Sequence, residues 1–120
     1  MMKQGRKITG GKYHANRKKK HYENKSQERE VFLGETKRKK MKLRAGKVKS
    51  VLLKTNVVNL VMNGKVQKAE IKNVMETPQN RFLSRQNRLV KSAIIETSLG
   101  KARITNRPSR EGMINAVLVE

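Results

Sequence analysis

Val57-Val58-Asn59-Leu60-Val61-Met62-Asn63-Gly64, followed by Lys65 to Met75, is the stretch that decides the fold. Val57 to Met62 is a short apolar run. Asn63-Gly64 then supplies the strongest short hairpin signal, because both central positions of a type I′ turn need positive φ. Beyond the turn the chain alternates. Ala69 and Ile71 point one way, while Lys68, Glu70 and Lys72 point the other. A period of two with one charged face predicts a half-buried strand.

Working outward, Lys47 to Lys54 begins after Gly46 and is rich in strand formers. Downstream, Thr77-Pro78-Gln79-Asn80 breaks the pattern. Arg81, Arg85 and Arg88 follow at helix-like spacing, which fits a short helical turn or a basic loop. Leu89-Val90 reads as the start of a strand. Ala93 to Thr97 and Lys101 to Asn106 flank Ser98-Leu99-Gly100, read as a three-residue hairpin loop with glycine last. After the loop Arg107 to Gly112, Met113 to Val119 predicts a closing strand, apolar on both faces. The expected fold is mainly β: a small antiparallel β-barrel of about six strands over residues 46–120, since closure removes exposed edges. So small a domain buries only about 60% of its unfolded surface and is modestly stable alone.

Residues 1–45 differ in composition. They hold 12 of the 42 apolar residues and carry net +12 of the formal +21. That is too little apolar area to offset the backbone entropy of ordering, about 1–2 kcal/mol per residue. This part is expected to be an extended, highly basic N-terminal arm that orders only against a partner. Its apolar cluster, Val31-Phe32-Leu33, is expected to dock on the following domain.

The 120 residues contain 30 lysines and arginines against nine acids, all glutamates, with no aspartate, cysteine or tryptophan. A disulfide scaffold, a thiolate metal site and a cysteine nucleophile are thereby excluded. His14 and His21 sit seven apart in the arm without the four ligands zinc wants, so no metal is expected. Ser84, Ser92, Ser98 and Ser109 have no histidine nearby in sequence, and no enzymatic activity, cofactor or small-molecule substrate is expected. The N-terminal Met1 to Lys7 lacks the apolar stretch of a secretory signal, and no run approaches the roughly 18 apolar residues that span a bilayer. A membrane partner is not expected, and a cytoplasmic location is.

Charge of this size opposes compaction unless a polyanion neutralises it. The cations come in blocks: Arg17-Lys18-Lys19-Lys20 and Lys37-Arg38-Lys39-Lys40, the second extended by Lys42, Arg44, Lys47 and Lys49. Neither block of four holds an acid that would pair with its cations, which disfavours a merely solvated face. Gly10-Gly11 lacks the spacing of a phosphate-binding nucleotide loop but lets backbone N–H groups lie against phosphates. Of four aromatic residues, none lies on a predicted strand, so the base-stacking surface of sheet-type RNA binders is absent. Tyr13 and Tyr22, inside the arm, either stack on RNA or merely accompany the charge. Recognition of folded RNA by backbone and shape fits best. Candidate contacts are Arg6, Lys7, Thr9, Gly10, Gly11, Lys12, Tyr13 and His14, the two basic blocks with their extension, and Arg81, Arg85, Arg88, Arg103 and Arg107.

Gly5-Arg6-Lys7-Ile8-Thr9-Gly10-Gly11 and Arg17 to Lys20 resemble the N-terminal signature of the archaeal and eukaryotic e-type family of small-subunit ribosomal protein eight. Leu33-Gly34-Glu35, Ala93 to Pro108 and Gly112 to Glu120 are similar to its later landmarks. The resemblance implies a basic arm and a small β-barrel bound to small-subunit rRNA beside neighbouring ribosomal proteins, with Arg6, Lys7, Thr9, Gly10, Gly11 and Arg17 to Lys20 on the rRNA. The long eukaryotic insertion is missing, which implies an archaeal form. His21 stands where the family's basic run would continue. The rival readings are a DNA-binding architectural chromatin protein, an RNA-cleaving enzyme without a plausible acid–base pair, and a surface-membrane protein without an amphipathic stripe.

Overall fold

A computed structural model describes residues 5–14, 17–25 and 28–119. The start of the N-terminal stretch read above for a signal, residues 1–4, lies outside them.

The decisive hairpin forms as its sequence dictates. Strands β4 (Val57–Met62) and β5 (Lys65–Glu76) pair antiparallel with Met62 opposite Lys65. Asn63 and Gly64 take φ of 47° and 76°, the left-handed values a two-residue turn needs. β5 then pairs with β6 (Ile94–Thr97), β6 with β7 (Gly100–Ile104), and β7 with β8 (Asn115–Leu118), all antiparallel. β8 returns to β4 and closes the barrel.

That closing pair is parallel, with Leu60 beside Ala116, whereas an antiparallel barrel was expected throughout. The strand number explains it. Five strands that alternate in direction leave the first and last running the same way. The fall from about six barrel strands to five has a cause too. The strand read from sequence at Lys47 to Lys54 forms at residues 48–55 and belongs to a second sheet.

Inward positions follow the pleat: Val58 and Leu60 on β4, Ile95 on β6, Ala102 and Ile104 on β7, Ala116 on β8. On β5 they are Ala69, Ile71 and then Val74. The period of two breaks there because the β5–β6 register shifts between Ile71 and Asn73. Such an irregularity re-aims the strand and raises its twist, and β5 can then serve β4 with one half and β6 with the other. A five-stranded barrel is narrower than the eight-stranded kind whose interior side chains just fill. Ala69, Ala102 and Ala116 meet that limit, and burial of each larger residue such as Leu60 or Ile104 contributes about 1.5–3 kcal/mol.

The second sheet has the order β1-β3-β2: β1 (Phe32–Leu33) parallel to β3 (Val48–Thr55), and β2 (Lys37–Lys42) antiparallel to β3. A turn at Arg44–Gly46 joins β2 to β3, with Ala45 and Gly46 both at positive φ. Asn56 alone separates β3 from β4, and its carbonyl accepts from the Ile71 amide at 2.7 Å. Leu52 of β3 enters the barrel's core cluster. Val31 and β2 lie on the arm side of the expected junction at residues 45 and 46, and pack and pair with residues beyond it. The apolar cluster docks as expected. Val31 is buried with Leu89, the Leu89 amide donates to the Val31 carbonyl, and the Leu33 amide donates to the Asn87 carbonyl.

Two further sequence expectations are corrected. Leu89-Val90 starts no strand; only an isolated bridge between Phe32 and Arg88 forms there, because the extended chain at residues 31–33 takes the local hydrogen bonds. The β6–β7 loop has two residues, Ser98 and Leu99, since Gly100 at φ 130° already pairs with Thr97. Residues 81–88 do hold a short helix, α1 (Arg81–Arg85), capped where the Asn80 side chain accepts from the Phe82 amide.

Candidate nucleic-acid interface

The β2–β3 hairpin gathers the largest set of the candidate cations. Lys37, Arg38, Lys39, Lys40 and Lys42 on β2, Arg44 and Lys47 at the turn and Lys49 on β3 are all exposed. β2 is the outer strand of its sheet, so these charges also guard an unpaired edge against strand addition. From Thr36 to Val57 the sequence holds no acid, and Lys37 lies directly opposite Lys54. Like charges facing across a strand pair are destabilising. The hairpin therefore carries repulsion that a nearby polyanion relieves.

Its base is fixed to the barrel. Arg38 Nε donates to the Gly112 carbonyl at 2.8 Å, and the Leu52 amide donates to the Glu111 carbonyl at 3.2 Å. Arg29 reaches both the Ser109 carbonyl and the Met41 sulfur. A cavity of about 310 Å³ lies at this junction, with Arg38 and Lys68 among its lining above an apolar floor of Leu52, Val57 and Ile114.

The N-terminal candidates form a second, smaller group. Arg6 and Lys12 bridge antiparallel, the Lys7 amide donates to the Gly11 carbonyl, and the Gly10 amide donates to the Lys7 carbonyl. The turn needs Gly10 at φ 80°. Arg6 donates to the Gly10 carbonyl, and Lys7 Nζ lies 5.9 Å from the centre of the Tyr13 ring. Thr9, Gly11 and His14 are exposed there. In the next block, Lys18, Lys19 and Lys20 are exposed, and Lys20 Nζ lies 6.0 Å from the Tyr22 ring centre. Arg17 is engaged elsewhere, in a two-pronged ion pair with Glu23 at 2.6 and 2.9 Å. That guanidinium holds the Glu23 carboxyl below its ordinary pKa, helped by the Lys20 amide, and the carboxylate raises Arg17 in return. Both groups are solvent-facing, so the pair adds little stability.

Arg88 stands apart from every other candidate. It is buried, faces Glu28 and Glu30 at 3.8 and 3.4 Å, and leaves its Nε without a hydrogen-bond partner among the described residues. Its spacing from Arg81 and Arg85 suggested one helical face, but the helix ends at Arg85 and Asn87 turns the chain at φ 52°. Arg103 lies on the outer side of β7, opposite Ile94 and Val117, and Arg107 is exposed in the β7–β8 loop. Two residues were missed from sequence. Lys54 joins the hairpin set only once the strand register is known. Phe82 is exposed beside Arg81 and Arg85, on a short helix none of whose residues is buried. Among the described residues, no three histidines, cysteines or acids gather as metal ligands, and no helix is long and apolar enough to cross a membrane.

Fold and surface together define a small basic β-barrel protein that displays cations. The model of the family Ribosomal protein S8e matches residues 1–119. The chain is 42% identical over 117 residues to the small ribosomal subunit protein eS8 of Methanocorpusculum labreanum, covering 96% of this chain and 94% of that protein. The eS8 proteins of Haloarcula marismortui and Nanoarchaeum equitans are 41% and 39% identical, over 96% of this chain and 94% and 92% of theirs. The chain belongs to the Ribosomal protein S8e family, whose members are structural ribosomal proteins and not enzymes.

Proposed function

We propose that this chain is a structural constituent of the archaeal small ribosomal subunit in the cytoplasm, where it binds small-subunit rRNA beside neighbouring ribosomal proteins and supports subunit assembly and translation. The family and the names of its relatives support the ribosomal role. The observation that carries RNA binding is the β2–β3 hairpin, with nine exposed cations counting Lys54, no acid of its own, and a like-charge pair at Lys37 and Lys54.

The mechanism is electrostatic. The hairpin and the basic segments around Arg6 to Lys12 and Lys18 to Lys20 neutralise phosphates that would otherwise repel one another, and the barrel fixes where the hairpin stands. Each phosphate neutralised releases a counterion, so log affinity falls linearly with log salt. Titrating the chain with small-subunit rRNA over a salt series tests this. A steep negative slope, with rRNA preferred over duplex DNA in competition at one salt concentration, is the expected result. A flat slope rejects the mechanism, and indifference between the two nucleic acids rejects the ribosomal assignment of the surface.

A further inference from the structure

Phe82 is one of only four aromatic residues in the chain, and it is 56% exposed. Its exposure is built in. Thr77 is buried and its hydroxyl donates to the Asn80 carbonyl; the Asn80 side chain caps the helix by accepting from the Phe82 amide. Leu83 is half-buried and its carbonyl accepts from the Arg88 amide, while α1 packs on β5. This frame holds the ring outward.

Two guanidinium groups flank it, with Arg85 Cζ 5.5 Å and Arg81 Cζ 6.0 Å from the ring centre. Among the described residues neither guanidinium is in an ion pair or a side-chain hydrogen bond, and both lie within cation–π range of the ring. The cluster thus offers a flat apolar face between two planar cations with unspent N–H donors. A nucleotide uses all three features: its base stacks on the ring, and the phosphates on either side pair with the guanidinium forks. A protein partner docking through apolar contact alone would have to cover both charges.

We infer that Phe82, flanked by Arg81 and Arg85, is a stacking site for a single unpaired base of the bound RNA. This rests on the RNA-binding reading above and adds to it a base contact that backbone charge does not supply. The barrel strands carry no aromatic residue, and Phe32 on β1 is half-buried; this platform is carried by a short helix.

The chain has no tryptophan, so Phe82→Trp introduces a single reporter at the site. The full-length chain is titrated with small-subunit rRNA. Emission from the F82W protein is expected to be quenched, with affinity close to wild type. F82A and F82L are expected to bind roughly five- to a hundredfold more weakly with unchanged salt slope, since stacking neutralises no phosphate. L99A, which removes an exposed leucine from the β6–β7 loop, is expected to bind as wild type, and thermal unfolding of each variant checks that the fold is intact. Unquenched F82W with salt-dependent binding preserved overturns the stacking site and leaves the electrostatic reading standing. Wild-type affinity in F82L points to plain apolar contact and overturns it equally. Absence of binding by the wild-type chain overturns both.

Discussion

The Val31 carbonyl accepts the Leu89 amide at 2.8 Å, and the two side chains share one core. Fifty-seven residues of chain lie between them, so this contact fastens the last part of the N-terminal region to the loop that follows α1. Val31→Ala is expected to lower stability by about 1–3 kcal/mol, through lost burial and the cavity left behind. A chain beginning at residue 29 is expected to melt near the full-length temperature, and one beginning at residue 46, which lacks Val31 and β2, well below it. Equal melting temperatures for the two truncations would show that Val31 and β2 contribute nothing to the folded body.

Replacing Lys37, Lys39, Lys40 and Lys42 together by glutamine removes four exposed charges without touching a buried contact. The log–log salt slope of rRNA binding is expected to become shallower by about 3, at the 0.7–0.9 per neutralised phosphate typical of nucleic acids. The same substitution relieves the repulsion between Lys37 and Lys54, so the RNA-free protein is expected to melt no lower than wild type. Binding isotherms and thermal melts in the same buffers check both.

Arg88→Met is expected to leave the salt slope unchanged, because the guanidinium is buried against Glu28 and Glu30. The unpartnered Nε means the substitution also removes a buried polar atom that nothing satisfies. Stability is expected within about 1 kcal/mol of wild type, because Glu28 and Glu30 are exposed and stay solvated without their partner, so no buried charge is stranded. A shallower slope would place Arg88 on the RNA.

Gly100 sits at φ 130°, and a Cβ there would lie 3.1 Å from Leu118 Cδ2. Gly64 has a milder positive φ and open space around it. Gly100→Ala is therefore expected to cost about 1–3 kcal/mol and Gly64→Ala about 1 kcal/mol, read by denaturant unfolding. The reverse order would mean that the β6–β7 hairpin tolerates strain better than the β4–β5 turn.

Glu23 has its folded pKa lowered by Arg17, so the ordering it gives to the turn at His21–Glu23 is present above the ordinary glutamate range. It is lost as pH falls through the lowered value, beneath the ordinary glutamate range. NMR titration of the Glu23 carboxyl should show a midpoint below that of a free glutamate, and Arg17→Gln should return it to the usual range.

The barrel was largely legible because its signals are local. Asn63-Gly64 fixed one hairpin, and the alternation of Ala69 and Ile71 with charged neighbours fixed a face. What escaped depends on pairing between distant segments. Lys37 to Lys42 carries no apolar alternation, and its strand is held by register with β3 and by the turn at Ala45-Gly46. The parallel closure required a strand count that no single segment reveals. At the candidate interface, composition located the cationic blocks. It did not separate Arg88, which is buried beyond the end of a short helix and pairs with two glutamates nearly sixty residues earlier, from Arg81 and Arg85 on that helix.

Because β4 and β8 run side by side in the same direction, the chain enters the barrel at one pole and leaves it at the other. The Val57 end adjoins β3 and the cationic hairpin; the Leu118 end lies beside Met62, a strand's length away. A fluorophore or surface anchor attached after Val119 therefore sits on the far pole, so the molecule can be tethered or labelled there with its charged side left free for approach.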